Sequence, residues 1–220
     1  MKKWKKILTP FANESTKPYY DIIKKRWFYR AFKRCFDFFA AFILFFILLI
    51  PSLIIALAIV IDSRGGIFFC QKRVGRYGKP FKIIKFRTMV KNSEGNQQIT
   101  SRDDSRVTKV GKFLRKTHLD EFPQLINVLI GQMSFVGTRP EVQKYVDLYR
   151  DEWYSTLFMR PGITSTASYT CDDEAKFLNE KNVHNVYVEQ ILPLKMKFNL
   201  DDIKHLSILR DIRILWKTVF

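Results

Sequence analysis

Cysteine is scarce in this chain. The three present, Cys35, Cys70 and Cys171, are odd in number and lie at no ligand spacing. A disulfide framework or a thiolate zinc site is therefore not expected, whereas reduced thiols in a cytoplasmic compartment are. Histidine is as rare: His118, His184 and His205 show no pairing at metal-ligand spacing. A Walker loop, a dinucleotide fingerprint and a Gly-x-Ser-x-Gly elbow are all missing, which removes the commonest nucleotide and hydrolase motifs. No internal repeat or low-complexity tract is found. Acids are outnumbered: 21 Asp and Glu face 38 Lys and Arg, for a net charge of +17. Such a balance reports on partners rather than fold. It leaves nucleic acid, an anionic membrane surface and phosphate-bearing substrates open. With 220 residues, 47% of them hydrophobic, the chain can build one domain with a real core but not two large ones.

What the chain does have is one long apolar run. Phe38 to Ile61 is interrupted only by Pro51 and Ser52. As a straight helix it would be about 36 Å long at 1.5 Å per residue, enough for a hydrocarbon core of about 30 Å. It starts too late, runs too long and lacks the small-residue cleavage site of a signal peptide. It also lacks the polar face of a soluble helix. Both flanks are basic: residues 1–37 hold eleven Lys or Arg against three acids, and residues 62–91 hold nine against one. Positive charge marks the cytoplasmic side, so a simple crossing would leave one basic flank outside. A kinked, re-entrant helix with both ends cytoplasmic resolves the conflict. Pro51 removes a backbone hydrogen bond within the run, and Ser52 can offer its hydroxyl to a freed carbonyl. An ordinary tilted span with a proline kink is the alternative.

Residues 1–30, with Trp4, Phe11, Tyr19, Tyr20, Trp27, Phe28 and Tyr29 among lysines, read as a basic aromatic extension suited to a membrane interface. Residues 67–71 and 81–86 are short and rich in strand formers, with Gly75 and Gly78 between them, and predict a hairpin. Residues 92–105 are polar and read as a loop, and 110–114 as part of a short helix. Apolar Phe122, Leu125, Ile126 and Leu129 predict a helix over 119–130 that Gly131 stops. Residues 141–158 read as helical. Residues 200–220 carry apolar groups at helical spacing between basic ones, an amphipathic pattern for a core or a membrane surface.

The chemistry-bearing stretch is Leu119-Asp120-Glu121-Phe122-Pro123-Gln124. Proline is tolerated near a helix start, which puts Asp120 and Glu121 at an N-terminal end where a carboxylate stays ionised. An ionised carboxylate can be a nucleophile or a magnesium ligand; it can equally be a plain capping residue. Arginines give the context. Arg115 lies five residues earlier, and Arg139 and Arg160 sit in proline-bearing turns. The guanidinium fork suits phosphate.

At this point the sequence resembles a known family, the monotopic (small) phosphoglycosyl transferases, or bacterial sugar transferases, that start cell-surface glycan assembly. The likeness runs from about Lys33 to Phe220. It is dense at Lys33–Asp37, with Pro51 at the family's kink, and then at Gln71–Gly75, Gly78-Lys79 and Lys85–Met89. Val110–Leu129 carries the catalytic block, and Met133–Glu141 and Arg160–Thr164 complete it. The chain departs from the pattern at His118, usually a small hydroxyl residue, at Gln132, usually an acid, and at Thr138, usually proline. After Thr164 it continues Ser165-Thr166-Ala167-Ser168 where the family often has Gly-Trp-Ala-Gln, which bears on the sugar accepted.

The resemblance implies an α+β, mostly helical protein. Residues 1–30 form an extension, 31–62 a re-entrant membrane helix kinked at Pro51 and Ser52, and 63–220 a cytoplasmic domain with amphipathic interfacial helices. It implies a transferase that passes a sugar 1-phosphate from a UDP-sugar to polyprenyl phosphate. Asp120 is implied as nucleophile and Mg2+ ligand, with Glu121 as its partner. Arg115, Arg139 and Arg160 are implied to hold phosphates, with Lys85 and Arg87 of the neighbouring block. Expected partners are the UDP-sugar, polyprenyl phosphate and anionic lipids of the bacterial inner membrane, with room for a homodimer and no nucleic acid. A non-enzymatic basic membrane-binding or scaffold protein is the competing reading.

Overall fold

The computed structural model describes residues 1–4, 7, 11–90, 105–171 and 183–219. The loop expected at 92–105 lies outside them but for Ser105. Helices dominate and strands are few, as the sequence leads one to expect.

Helix α1 (Lys17–Lys25) starts with Pro18 in its first turn, where a missing N–H costs nothing, and buries Tyr19, Tyr20 and Ile23. These join Tyr29, Tyr145, Trp153 and Phe158 in the largest core cluster. The described part of the N-terminal extension thus packs into the body of the protein.

The apolar run is not one helix. Helix α2 (Trp27–Ile47) and helix α3 (Leu49–Asp62) meet at Leu48 with a bend of 60°. The break falls three residues before Pro51 for a physical reason. A proline at 51 cannot donate to the carbonyl of Ile47, and its ring crowds that carbonyl. The helix therefore ends at Ile47 and restarts so that Pro51 lies in the first turn of α3, where no donor is needed. Ser52 contributes to the junction through its backbone, its N–H donating to Leu48 O at 2.9 Å. Among the described residues no single helix is long and apolar enough to cross a membrane, but the bent pair passes together.

Strands β1 (Phe68–Val74) and β2 (Pro80–Phe86) form the expected hairpin, antiparallel, with Phe68 opposite Phe86. Its turn places Tyr77 and Gly78 at positive φ. Helix α4 (Lys109–Lys116) begins at Thr108, whose hydroxyl accepts from Gly111 N at 3.0 Å. Gly111 lies against Thr88, and a Cβ there would overlap the Thr88 carbonyl. The glycine lets α4 approach the chain leaving β2.

Three helix expectations need correction. The predicted helix over 119–130 is a 3-10 turn, Leu119–Glu121, followed by helix α5 (Gln124–Leu129). Pro123 cannot donate to Leu119, so the first turn closes with tighter bonds, Glu121 N to His118 O and Phe122 N to Leu119 O. Residues 141–158 divide into a short helix α6 (Gln143–Val146) and a 3-10 stretch, Asp151–Phe158. The last helix is two. Helix α9 (Leu192–Lys204) follows α8 (Val183–Val186) and a π-helical turn, and helix α10 (Ile208–Val219) starts after Ser207, whose hydroxyl accepts from Arg210 N.

Strand β3 (Ser134–Val136) pairs in parallel with β4 (Gly162–Thr164), which leads into α7 (Thr166–Thr170). Gly162 packs directly on Gly137, and any Cβ at 162 would overlap the Gly137 backbone. That close crossing sets where the chain carries Arg139.

Candidate active site

Asp120 and Glu121 stand on the 3-10 turn between α4 and α5. His118 opens the turn in the left-handed region, φ 55°. A non-glycine residue at positive φ is uncommon. Here it lets the chain reverse out of α4 so that the two carboxylates face β2 rather than continue the α4 surface.

Strand β2 meets them with Lys85. Its Nζ lies 2.7 Å from Glu121 Oε1 and 3.7 Å from Asp120 Oδ2. Arg139, delivered by the β3–β4 crossing, pairs with Glu121 through both its terminal nitrogens, Nη1 at 3.1 Å from Oε2. Its Nη1 also donates to Ile163 O at 2.9 Å. Burial alone would raise the Glu121 pKa, but Arg139 and Lys85 outweigh it and hold the carboxyl well below the usual range. The Arg139 guanidinium is held above its ordinary value by Glu121. Burial lowers the Lys85 pKa, against the opposing pull of Glu121.

Asp120 differs. It is 8% exposed, and burial raises its pKa, with Lys85, Arg139 and Arg115 offsetting this in part. A buried carboxylate held less strongly by cations than its neighbour keeps a reactive lone pair. Arg115 approaches from α4, its Nε donating to Thr88 Oγ1 at 2.9 Å.

One buried amide holds this frame. Asn127 on α5 is fully buried. Its Nδ2 donates to Lys82 O and Gln132 Oε1, each at 2.8 Å, and its Oδ1 accepts from Ile84 N at 3.1 Å. It bolts α5 to β2, and so the carboxylate turn to Lys85. Asn127→Leu would leave those backbone groups unpaired. Chemical denaturation should show a loss of about 2–3 kcal/mol, and wild-type stability would deny it this role.

Helix α2 supplies the other clamps. Arg34 on α2 donates to Val128 O at 2.7 Å and Leu129 O at 3.0 Å, a cation on the C-terminal carbonyls of α5. Asp37 accepts from Ser134 Oγ at 2.7 Å and Phe135 N at 3.2 Å. Lys33 reaches Asp211 on α10 at 2.7 Å. The basic residues read from sequence as topology marks are also structural clips.

A family model described as bacterial sugar transferase matches residues 28–220. The chain belongs to that family. Among curated relatives it is 40% identical over 171 residues to the UDP-glucose:undecaprenyl-phosphate glucose-1-phosphate transferase of Escherichia coli K12, covering 76% of this chain and 34% of that protein. It is 37% identical over 202 residues to the UDP-N-acetylgalactosamine-undecaprenyl-phosphate N-acetylgalactosaminephosphotransferase of Aeromonas hydrophila, 87% of this chain and 43% of the relative. With the exopolysaccharide production protein ExoY of Sinorhizobium fredii it shares 34% identity over 204 residues, 85% of this chain and 83% of the relative. The chain thus spans under half the length of the first two.

In this family member the expected site residues divide. Asp120, Glu121, Lys85 and Arg139 converge, and Arg115 lies within electrostatic reach. Arg87 points elsewhere: it is buried and donates to the carbonyls of Ser63, Arg64 and Ile59 and to the Ser63 hydroxyl. It caps the end of α3. Arg160 donates to Gly131 O at 2.8 Å and lines a cavity with Arg34 and Arg76. Asn127 and Thr88 carry no sequence signal that singles them out, although a lone Asn inside Leu125–Ile130 is a polar residue on an apolar helix. Among the described residues no three Asp, Glu, His or Cys side chains converge as a metal cage. One hard carboxylate at Asp120 suits Mg2+ of the kind carried in mainly by diphosphate oxygens and water.

Proposed function

We propose that this chain is a phosphoglycosyl transferase that moves a sugar 1-phosphate from a UDP-sugar to polyprenyl phosphate and releases UMP. The observation that carries the reading is the division of labour in the carboxylate pair. Glu121 takes up Lys85 and Arg139, while Asp120 is approached by Lys85 only at 3.7 Å. The undecaprenyl-phosphate sugar phosphotransferases among its relatives support the same chemistry.

The steps follow from charge. A carboxylate approaching a diphosphate is repelled unless cations spread the charge of the phosphoryl oxygens. Lys85, Arg139 and Arg115 are the cations at hand. Mg2+, held by Asp120 and the diphosphate, would add further charge neutralisation. An Asp120 oxygen attacks the sugar-bearing phosphorus, the P–O bond to UMP breaks, and UMP leaves with the bonding electrons. The protein then carries the sugar phosphate as an aspartyl phosphodiester anhydride. A phosphate oxygen of the polyprenyl phosphate attacks the same phosphorus, and the Asp120 carboxylate departs. Glu121 orients Lys85 and Arg139 around that phosphorus.

The helix pair α2–α3 serves as a re-entrant anchor in this reading, with the domain facing the cytoplasm at the bacterial inner membrane. Both ends are held by the same body. Lys33, Arg34 and Asp37 clip the start of α2; at the other end Ile59 enters a core cluster, Arg87 caps α3, and Asp62 accepts from Val110 N. Between them Phe42, Ile43, Phe46, Ile47, Ile50 and Leu53 stand exposed. From buried Ala41 to the break at Leu48 the helix rises about 10 Å at 1.5 Å per residue. That is roughly a third of a hydrocarbon core, which favours a pair that dips in and returns over one that crosses.

The test is UMP release from a panel of UDP-sugars, with and without polyprenyl phosphate. Release with at least one sugar, sustained by the lipid, is expected. A folded chain that binds vesicles yet releases no UMP from any sugar would be a non-enzymatic membrane module instead.

A further inference from the structure

Away from the carboxylate pair, the start of α2 borders a cavity of about 340 Å³. Four guanidinium groups line it: Arg30, Arg34, Arg76 and Arg160. Three are anchored by backbone carbonyls and leave N–H groups over. Arg34 holds Val128 and Leu129, Arg76 Nε donates to Phe158 O at 2.9 Å, and Arg160 Nε donates to Gly131 O. The fourth, Arg30, keeps a buried Nε with no acceptor among the described residues. The carboxylate in the lining, Asp37, is already committed to Ser134 and Phe135. Lys33, also in the wall, is bound to Asp211.

Four positive groups beside a single carboxylate that is already hydrogen-bonded repel one another, and burial sharpens the repulsion. At Arg160, burial and then Arg76 and Arg34 lower the pKa, and Asp37 offsets this only in part. An orphaned buried N–H is costly until an acceptor arrives. A tetrahedral oxyanion meets both needs, since it offers several acceptors to guanidinium forks arranged around it.

The surroundings narrow the carrier of that anion to a lipid. Trp27 lines the cavity and is 67% exposed, with Phe28 and Phe32 exposed beside it. The same helix continues into the bare apolar surface of Phe39, Phe42 and Phe46. A ligand with phosphate at one end and hydrocarbon at the other fits this sequence of surfaces. We infer that the cavity formed by Arg30, Arg34, Arg76 and Arg160 binds the phosphodiester headgroup of an anionic membrane phospholipid, outside the site of sugar transfer. This rests on the reading of α2–α3 as a membrane anchor. The site would fix how α2 enters the bilayer and so the height of the carboxylate pair above it.

The experiment uses the full chain in detergent micelles holding equal phosphatidylglycerol and phosphatidylcholine, with bound lipid identified by native mass spectrometry. Wild type is expected to retain phosphatidylglycerol preferentially. Arg30→Gln and Arg76→Gln should each reduce that preference roughly fivefold, with melting by circular dichroism reporting that the fold persists. Arg30→Lys, which keeps charge but not the fork, should lose part of it. No preference in wild type, or an unchanged preference in a folded Arg30→Gln protein, overturns the inference. Displacement of the lipid by inorganic phosphate as readily as by phosphatidylglycerol headgroup would make free phosphate the occupant. Displacement by polyprenyl phosphate at lower concentration than by phosphatidylglycerol would make the acceptor lipid the occupant, and either overturns the inference as well. Flotation with pure phosphatidylcholine vesicles separates the two readings. A chain that fails to float there lacks the anchor, whereas one that floats without lipid preference lacks only the headgroup site.

Discussion

Asp120→Asn is expected to abolish the protein-bound sugar phosphate and to cut lipid-linked product by at least about a thousandfold. The amide is nearly the same size, so packing around the 3-10 turn survives. It has no anionic oxygen to form the anhydride with phosphorus. Of the charge pairing around Lys85, the substitution removes only the 3.7 Å approach to Asp120 and spares the closer bond to Glu121. Melting should therefore move little while chemistry stops. The clean readout is intact mass after incubation with UDP-sugar alone: wild type gains one sugar phosphate and the variant gains nothing. A variant that still carries the adduct, or turns over near the wild-type rate, would move the nucleophile to another residue.

Glu121→Gln should differ from it by lowering stability as well as rate. Removing one partner of a buried ion pair costs about 3–5 kcal/mol because the other charge is stranded. Here two cations are stranded, Lys85 and Arg139. Yet the Arg139 side chain is 40% exposed, so water screens its share. Lys85 can still turn to Asp120. A loss of about 2 kcal/mol is the expected outcome in denaturant melts of the micelle-bound protein. A melt indistinguishable from wild type would mean that Glu121 contributes no clamp. The rate should fall too, since Lys85 and Arg139 lose the group that aligns them.

How far these residues could be read beforehand depends on what each one touches. Pro51 was legible because its geometry is local: it forbids one hydrogen bond, and only the offset to Leu48 needed coordinates. The hairpin around Gly75 and Gly78 was legible for the same reason. The long helices predicted at 119–130, 141–158 and 200–220 are broken by particulars. Pro123 lacks a donor, and Ser207 caps a new start. Periodicity carries no such punctuation.

The arginines show the sharper limit. Arg139 and Arg160 both stand beside prolines and look alike in sequence. One is turned to Glu121 by the Gly137–Gly162 crossing, and the other is caught by Gly131. Lys85 and Arg87 are two apart and would share a strand face. The strand ends at Phe86, so Arg87 leaves the alternation and caps α3 instead. Such choices are made by long-range packing, which composition and spacing do not encode.

The clips at both ends of α2–α3 also set an order of events. During synthesis the apolar pair leaves the ribosome before residues 87, 110, 128 and 134, which later hold it. For that interval Phe42, Phe46 and Leu53 have no protein surface waiting for them. On the proposed reading of α2–α3 as an anchor, lipid receives the pair first, and the rest of the chain then assembles against helices already embedded. A version trimmed of the anchor to gain solubility would lose the Arg34 cap on α5 and arrive with its catalytic turn unbraced.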